Sequence, residues 1–170
     1  MDTALRQCTC CFTGHRPVKL PWRYNESDER CIRLKSSIAD ALEACFESGI
    51  RRFICGMALG CDTYFAEAVL SMKQRHEGIV LEAAVPCLGQ EEAWPGPSRE
   101  RYYRLLEQCD VRTVLEHEYT PGCMERRNRY MVDSSRILLA VYTGGSGGTL
   151  GTIRYAMDRG LTVVQLPIES

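Results

Sequence analysis

Four short clusters in this chain of 170 residues hold the side chains and backbone amides best suited to gripping an anion. The first is Gly144-Gly145-Ser146-Gly147-Gly148-Thr149. Amides at Gly145, Gly147 and Gly148 carry no Cβ and can close on phosphate oxygens, and the Thr149 hydroxyl can join them. The second is Gly14-His15-Arg16, where the guanidinium fork can hold two oxygens and the imidazole titrates near neutral pH. The third runs from Gly56 through Gly60 to Asp62, a carboxylate suited to a ribose hydroxyl or to capping a helix. The fourth is Arg126-Arg127-Asn128-Arg129, whose three guanidinium groups cannot all face one way on a helix. Each has a plainer reading: a flexible turn for the glycines, a loop hydrogen bond for His15, a cap for Asp62.

The elements around these clusters give them a common place. Ile137 to Tyr142 is an apolar run that breaks into the glycine loop. A segment with Ile153, Ala156 and Met157 on one helical face follows, and Gly160 stands at its end. The helix start adds about half a positive charge at the loop. Cys8 to Thr13 reads as a buried strand ending at Gly14, and His15 to Asn25 as a loop. Ser27 is placed to cap a helix that keeps Cys31, Leu34, Ile38, Leu42 and Cys45 on one face until Gly49. Arg52 to Cys55 reads as a strand, with Asp62 as the N-cap of the next helix. Ile79 to Val85 is a third strand, stopped by Pro86. A helix from about Ser98 to Gln108, a strand at Val111 to Leu115, a helix from Met124 to Ser134 and a strand at Thr162 to Leu166 complete the pattern.

Apolar runs alternating with amphipathic segments indicate one α/β domain over 1–170, a Rossmann-like three-layer sandwich. Its sheet is expected to be mostly parallel, with helices on both faces. Loops leaving the carboxyl ends of such strands share one edge, where ligands of open α/β sheets bind. The four clusters fall on those loops or beside them.

Standard motifs do not name the ligand. Gly145 and Gly147 begin a G-x-G-x-x-G fingerprint, but Leu150 occupies its third position, and no Gly-Lys-Ser/Thr makes a Walker loop. Gly145-Ser146-Gly147 is too short for a nucleophile elbow, which leaves Ser146 as a turn residue. Net charge is −1, against the generic attraction that nucleic acid or an anionic membrane would need. Ten cysteines stand mostly inside apolar runs, and MDTALRQ has neither the basic nor the apolar part of a signal peptide. Reduced thiols, a cytoplasmic location and no metal site are the expectations. Trp22 and Trp94 sit in Pro-containing loops and are read as packing residues, with stacking on a base as the alternative. Glu67 is placed near the crevice, and His76 and His117 in solvent.

Phe12-Thr13-Gly14-His15-Arg16-Pro17 with Lys19-Leu20-Pro21-Trp22, and Gly56-Met57-Ala58-Leu59-Gly60-Cys61-Asp62 with Phe65-Ala66-Glu67, resemble the YpsA-like proteins of the SLOG superfamily. Pro86-Cys87, Arg127-Asn128 with Met131, and the loop Gly144 to Thr149 extend the resemblance over nearly the whole chain. It implies a Rossmann-like fold and a pocket for a nucleotide or nucleotide-derived ligand such as AMP, ADP-ribose or NAD, with no cofactor required. The Gly56 to Asp62 segment is also similar to the DNA-processing protein A family. Arg127-Asn128 followed by the glycine loop is similar to the phosphoribohydrolases of the Lonely guy family. Those hydrolases carry a glutamate where this chain has Thr152. The expected function is therefore a sensing or regulatory module that binds a nucleotide-derived small molecule. A nucleotide-processing hydrolase that cleaves an N-glycosidic or phosphate bond is the alternative. A single-stranded nucleic-acid binder is the third reading, disfavoured by the near-neutral charge, and a homodimer is left open.

Overall fold

The computed structural model describes residues 2–169. Five helices and six strands beyond a short N-terminal helix follow one another in strict alternation. They are α1 (Thr3–Gln7), β1 (Thr9–Gly14), α2 (Glu29–Glu47), β2 (Arg52–Cys55), α3 (Cys61–Lys73) and β3 (Val80–Cys87). Then come α4 (Gly96–Gln108), β4 (Val111–Glu116), α5 (Cys123–Asp133), β5 (Ile137–Val141), α6 (Gly148–Asp158) and β6 (Thr162–Gln165). All strand pairs are parallel, in the order β4-β3-β2-β1-β5-β6. The direction of winding reverses between β1 and β5, and a crevice opens at such a switch point beyond the carboxyl ends of the two strands.

Period-two alternation sends side chains to two cores. Cys10 and Phe12 of β1, with Phe53, Leu81 and Leu139, meet α2, α3 and α4; Phe12 stacks on Phe65 of α3 at 4.7 Å between ring centroids. Cys11, Ile54, Ala84 and Leu138 point the other way, onto Met131 and Val132 of α5 and Ile153 and Ala156 of α6. The molecule is a three-layer α/β sandwich. Each large apolar side chain sealed in these cores contributes roughly 1.5–3 kcal/mol, which fixes the sheet that the loops extend from. Among the described residues no helix is long and apolar enough to cross a membrane.

Several boundaries differ from the sequence reading, each for a physical reason. Asp28, not Ser27, caps α2, its carboxylate accepting from the Arg30 amide at 2.9 Å. Pro86 does not end β3, which continues to Cys87. Beyond Ala83 that strand has lost β2 as a neighbour and pairs only with β4, so a residue without an N–H is tolerated there. Asp62 is not the N-cap of α3; Gly60 is, at φ +86°. The five residues of α1 bury no side chain and so carry no apolar period, which left them unread.

Candidate functional site

Three loops meet at the β1–β5 switch point, and His15 joins them. Its ring is buried, and its Nε2 accepts from the Thr143 amide at 3.0 Å, just past β5. Its carbonyl accepts from the Cys61 amide at 3.1 Å, at the start of α3. Burial, reinforced by the positive charge of Lys19, lowers the imidazole pKa. Since Nε2 is an acceptor, the ring is neutral with its proton on Nδ1. His15 therefore clamps the loops together.

The glycines of the first two loops are explained by close packing. A Cβ on Gly14 would stand 2.5 Å from the Cβ of Cys61, and one on Gly60 would stand 2.7 Å from the His15 carbonyl oxygen. At Gly56 it would meet the Arg127 guanidinium at 2.5 Å. Between them Met57 takes φ +60°, a strained value for a residue with a side chain. Gly60 thus lies behind the His15–Pro17 segment. Gly56 lies beneath Arg127.

Arg127, on α5, is 5% exposed and reaches across the crevice floor. Its Nη1 donates to the carbonyls of Gly56 and Ala84, the latter at 3.3 Å, and Nε donates to Asn128 Oδ1 at 2.9 Å. The other terminal nitrogen, Nη2, has only Met124 Sδ, at 3.9 Å. Asp62 is 6% exposed, and Oδ2 accepts from the Ala58 amide at 3.0 Å; no side chain or amide donates to Oδ1. Burial raises the carboxyl pKa, opposed by the charge of Arg127 and then Arg16. Burial likewise lowers the pKa of Arg127, opposed by Asp62. Each group's charge only partly offsets the burial of the other, and each has a free edge.

Those edges line an inner chamber of about 320 Å³. Gly14, His15, Arg16, Asp62, Arg127, Gly148 and Thr149 all face it, and so does Lys19. Gly56, Gly60 and Gly145 do not. Gly147 stands at the rim, where the Lys19 ammonium lies 2.8 Å from the place a Cβ would take. Lys19 donates to the Ser146 carbonyl at 3.0 Å and holds the glycine loop over the chamber. Gly147 is the N-cap of α6 and supplies no side chain to its first-turn amides, which leaves them available to a ligand. Arg16 and Lys19 are exposed at the mouth.

Lys19 was the missed residue. It is one of only three lysines and falls in a segment that carries the family resemblance, but nothing in its spacing points to the glycine loop. Other readings change place. Glu67 lies away from the crevice, ion-paired with Arg101 of α4. His76 is not solvated but stacks on Phe46 at 4.1 Å and meets Glu43 at 2.7 Å. Trp22 is a core residue whose Nε1 donates to the Tyr64 hydroxyl at 3.1 Å, and Trp94 packs edge-on against Tyr102. All ten cysteines are free thiols, and among the described residues no three metal-ligating side chains gather at one point. Thr152 donates its hydroxyl to the Gly148 carbonyl at 2.8 Å, within its own helix.

The fold agrees with comparison to known proteins. The model of the YspA SLOG family matches residues 10–160. The chain belongs to this family. Among relatives, the UPF0398 protein BH1768 of Halalkalibacterium halodurans is 31% identical over 140 residues, covering 81% of this chain and 74% of that one. DNA processing protein A from Streptococcus pneumoniae superposes with a TM-score of 0.63 at 18% identity; the match covers 96% of this chain and 51% of that protein, about half its length. The Helicobacter pylori protein of the same name, which binds single-stranded DNA, gives a TM-score of 0.61 at 16% identity, covering 99% of this chain and 70% of that one. At such identities the likeness is one of fold.

Proposed function

We propose that this SLOG protein binds a phosphorylated, nucleotide-derived ligand in the inner chamber and acts as a sensing module. One observation carries the reading: a buried carboxylate and a buried guanidinium, each with an unpartnered edge, line one cavity at the switch point of a parallel sheet. The α6 amides at Gly148 and Thr149, with Arg16 and Lys19 above them, suit a phosphate. Asp62 Oδ1, with no partner in the protein, suits a sugar hydroxyl. Gly14, Gly56 and Gly60 let the loops close to that geometry, and Gly145 and Gly147 shape the phosphate loop.

Turnover is not part of the proposal. Asp62 is the sole carboxylate lining the chamber among the described residues, and the Thr152 hydroxyl is tied to its own helix. AMP, ADP-ribose and NAD are the candidates to mix with the protein in a thermal melt. Saturation at 100 times Kd stabilises by about 2.7 kcal/mol, a rise of roughly 5–10 °C in Tm for a chain of this size. The ligand should be recovered unchanged. No shift with any phosphorylated nucleotide, alongside salt-dependent capture of a single-stranded oligonucleotide, would replace this reading with a nucleic-acid one.

A further inference from the structure

A second and larger cavity, of about 590 Å³, opens beside the first between α5, α6 and the loop before α5. The two are continuous: Met124, Asn128 and Gly148 line both. The walls differ in kind. The inner chamber alone has Asp62, Arg127 and Lys19; the outer one alone has Tyr119 and Tyr155, and its charged residues, Glu125 and Arg129, are paired with each other. Tyr119 is 69% exposed at the mouth, and the Tyr155 hydroxyl is fixed by Asp133 at 2.9 Å. Two glycines of α6, Gly148 and Gly151, form part of the wall.

Gly151 is informative because it has no structural reason to be glycine. It lies inside α6, where glycine is less favourable than alanine, and a Cβ there would meet nothing within 4 Å. Its backbone lacks the positive φ that requires glycine elsewhere in this chain. What the missing side chain provides is room in the outer chamber.

We infer that the outer chamber is a base-recognition subsite, so that the ligand is a nucleotide with its phosphate and sugar inside and its planar base outside. Tyr119 and Met124 offer flat, polarisable surface to a heteroaromatic ring, Arg129 lies 5.3 Å over the Tyr155 ring and presents a planar guanidinium beside them, and the free amide nitrogen of Asn128, on the shared wall, can donate to the ring's edge. The subsite rests on the reading of the inner chamber, but it makes a claim of its own. An unadorned sugar phosphate in the inner chamber leaves the larger of the two chambers empty.

The test is calorimetric titration of the wild type, Gly151→Leu and Tyr119→Ala with AMP and with ribose 5-phosphate. The wild type should bind AMP at least tenfold more tightly than ribose 5-phosphate. Gly151→Leu puts a side chain into the outer chamber without a backbone clash and should bring the AMP affinity down to that of ribose 5-phosphate, whose own affinity stays put. Tyr119→Ala, in an exposed loop where folding is not at stake, should weaken AMP severalfold and leave ribose 5-phosphate unchanged. Equal affinities of the wild type for both ligands, or undiminished AMP binding by Gly151→Leu, overturn the subsite while leaving the phosphate site standing. Failure of the wild type to bind either compound overturns the subsite, and the inner site falls with it when ADP-ribose and NAD fail as well.

Discussion

The loops after β1 and β2 and the loop after β5 use glycine for opposite reasons. In the first pair, Gly14, Gly56 and Gly60 are glycines because something stands where a Cβ would be: a cysteine, the Arg127 guanidinium, the His15 carbonyl. In the β5 loop, Gly144 at φ +111° and Gly145 at φ +85° have nothing within 4 Å of that place. They are glycines because of the backbone's path. One region is a packed clamp and the other an open cradle, although the sequence spells both with the same letter.

Substitution should separate them, and the largest effect belongs to the clamp. Gly56→Ala must displace Arg127 from the Gly56 and Ala84 carbonyls. A loss of about 3 kcal/mol in urea denaturation is expected, at the upper end of overpacking costs. Gly145→Ala meets no atom and suffers only the left-handed conformation, about 1–2 kcal/mol. If the two variants proved equally unstable, the contrast would be wrong. Gly151→Ala, with neither clash nor positive φ, should raise stability by ~0.5–1 kcal/mol.

The clamp should also respond to pH in a way the cradle does not. The folded state lowers the pKa of His15 from its usual value near 6.5, because burial and Lys19 oppose the charged ring. Below that value the unfolded chain takes up a proton that the native ring resists. Stability is therefore complete above about pH 6.5 and falls as pH drops toward the lowered folded value. Between pH 7 and pH 5 the wild type should lose more stability than His15→Gln, so their difference narrows. A parallel loss in both proteins would remove His15 as the clamp's neutral member.

How much of this was legible beforehand depends on what each residue answers to. Strand-and-helix order came through because Cys10, Phe12 and Phe53, or Leu34, Ile38 and Leu42, keep a strict period. The meeting of Gly14, Asp62, Arg127 and Gly148 followed from parallel topology, which sends those loops or their neighbours to one edge. Periodicity does not report the third dimension of a loop. It could not tell that Gly60 faces His15 and not a ligand, or that Lys19 reaches back to Ser146 across 127 residues of chain. It also could not show that β3 runs past Pro86, which depends on where its neighbour β2 stops.

Amide-resolved NMR during titration with AMP tests the central claim most directly. Perturbations are expected to converge from separate parts of the chain: Gly14 to Arg16, Ala58 to Asp62, and Gly147 to Thr149. Shifts confined to the far edge of the sheet at β4, or scattered shifts that never saturate, would contradict a ligand site at the β1–β5 switch point.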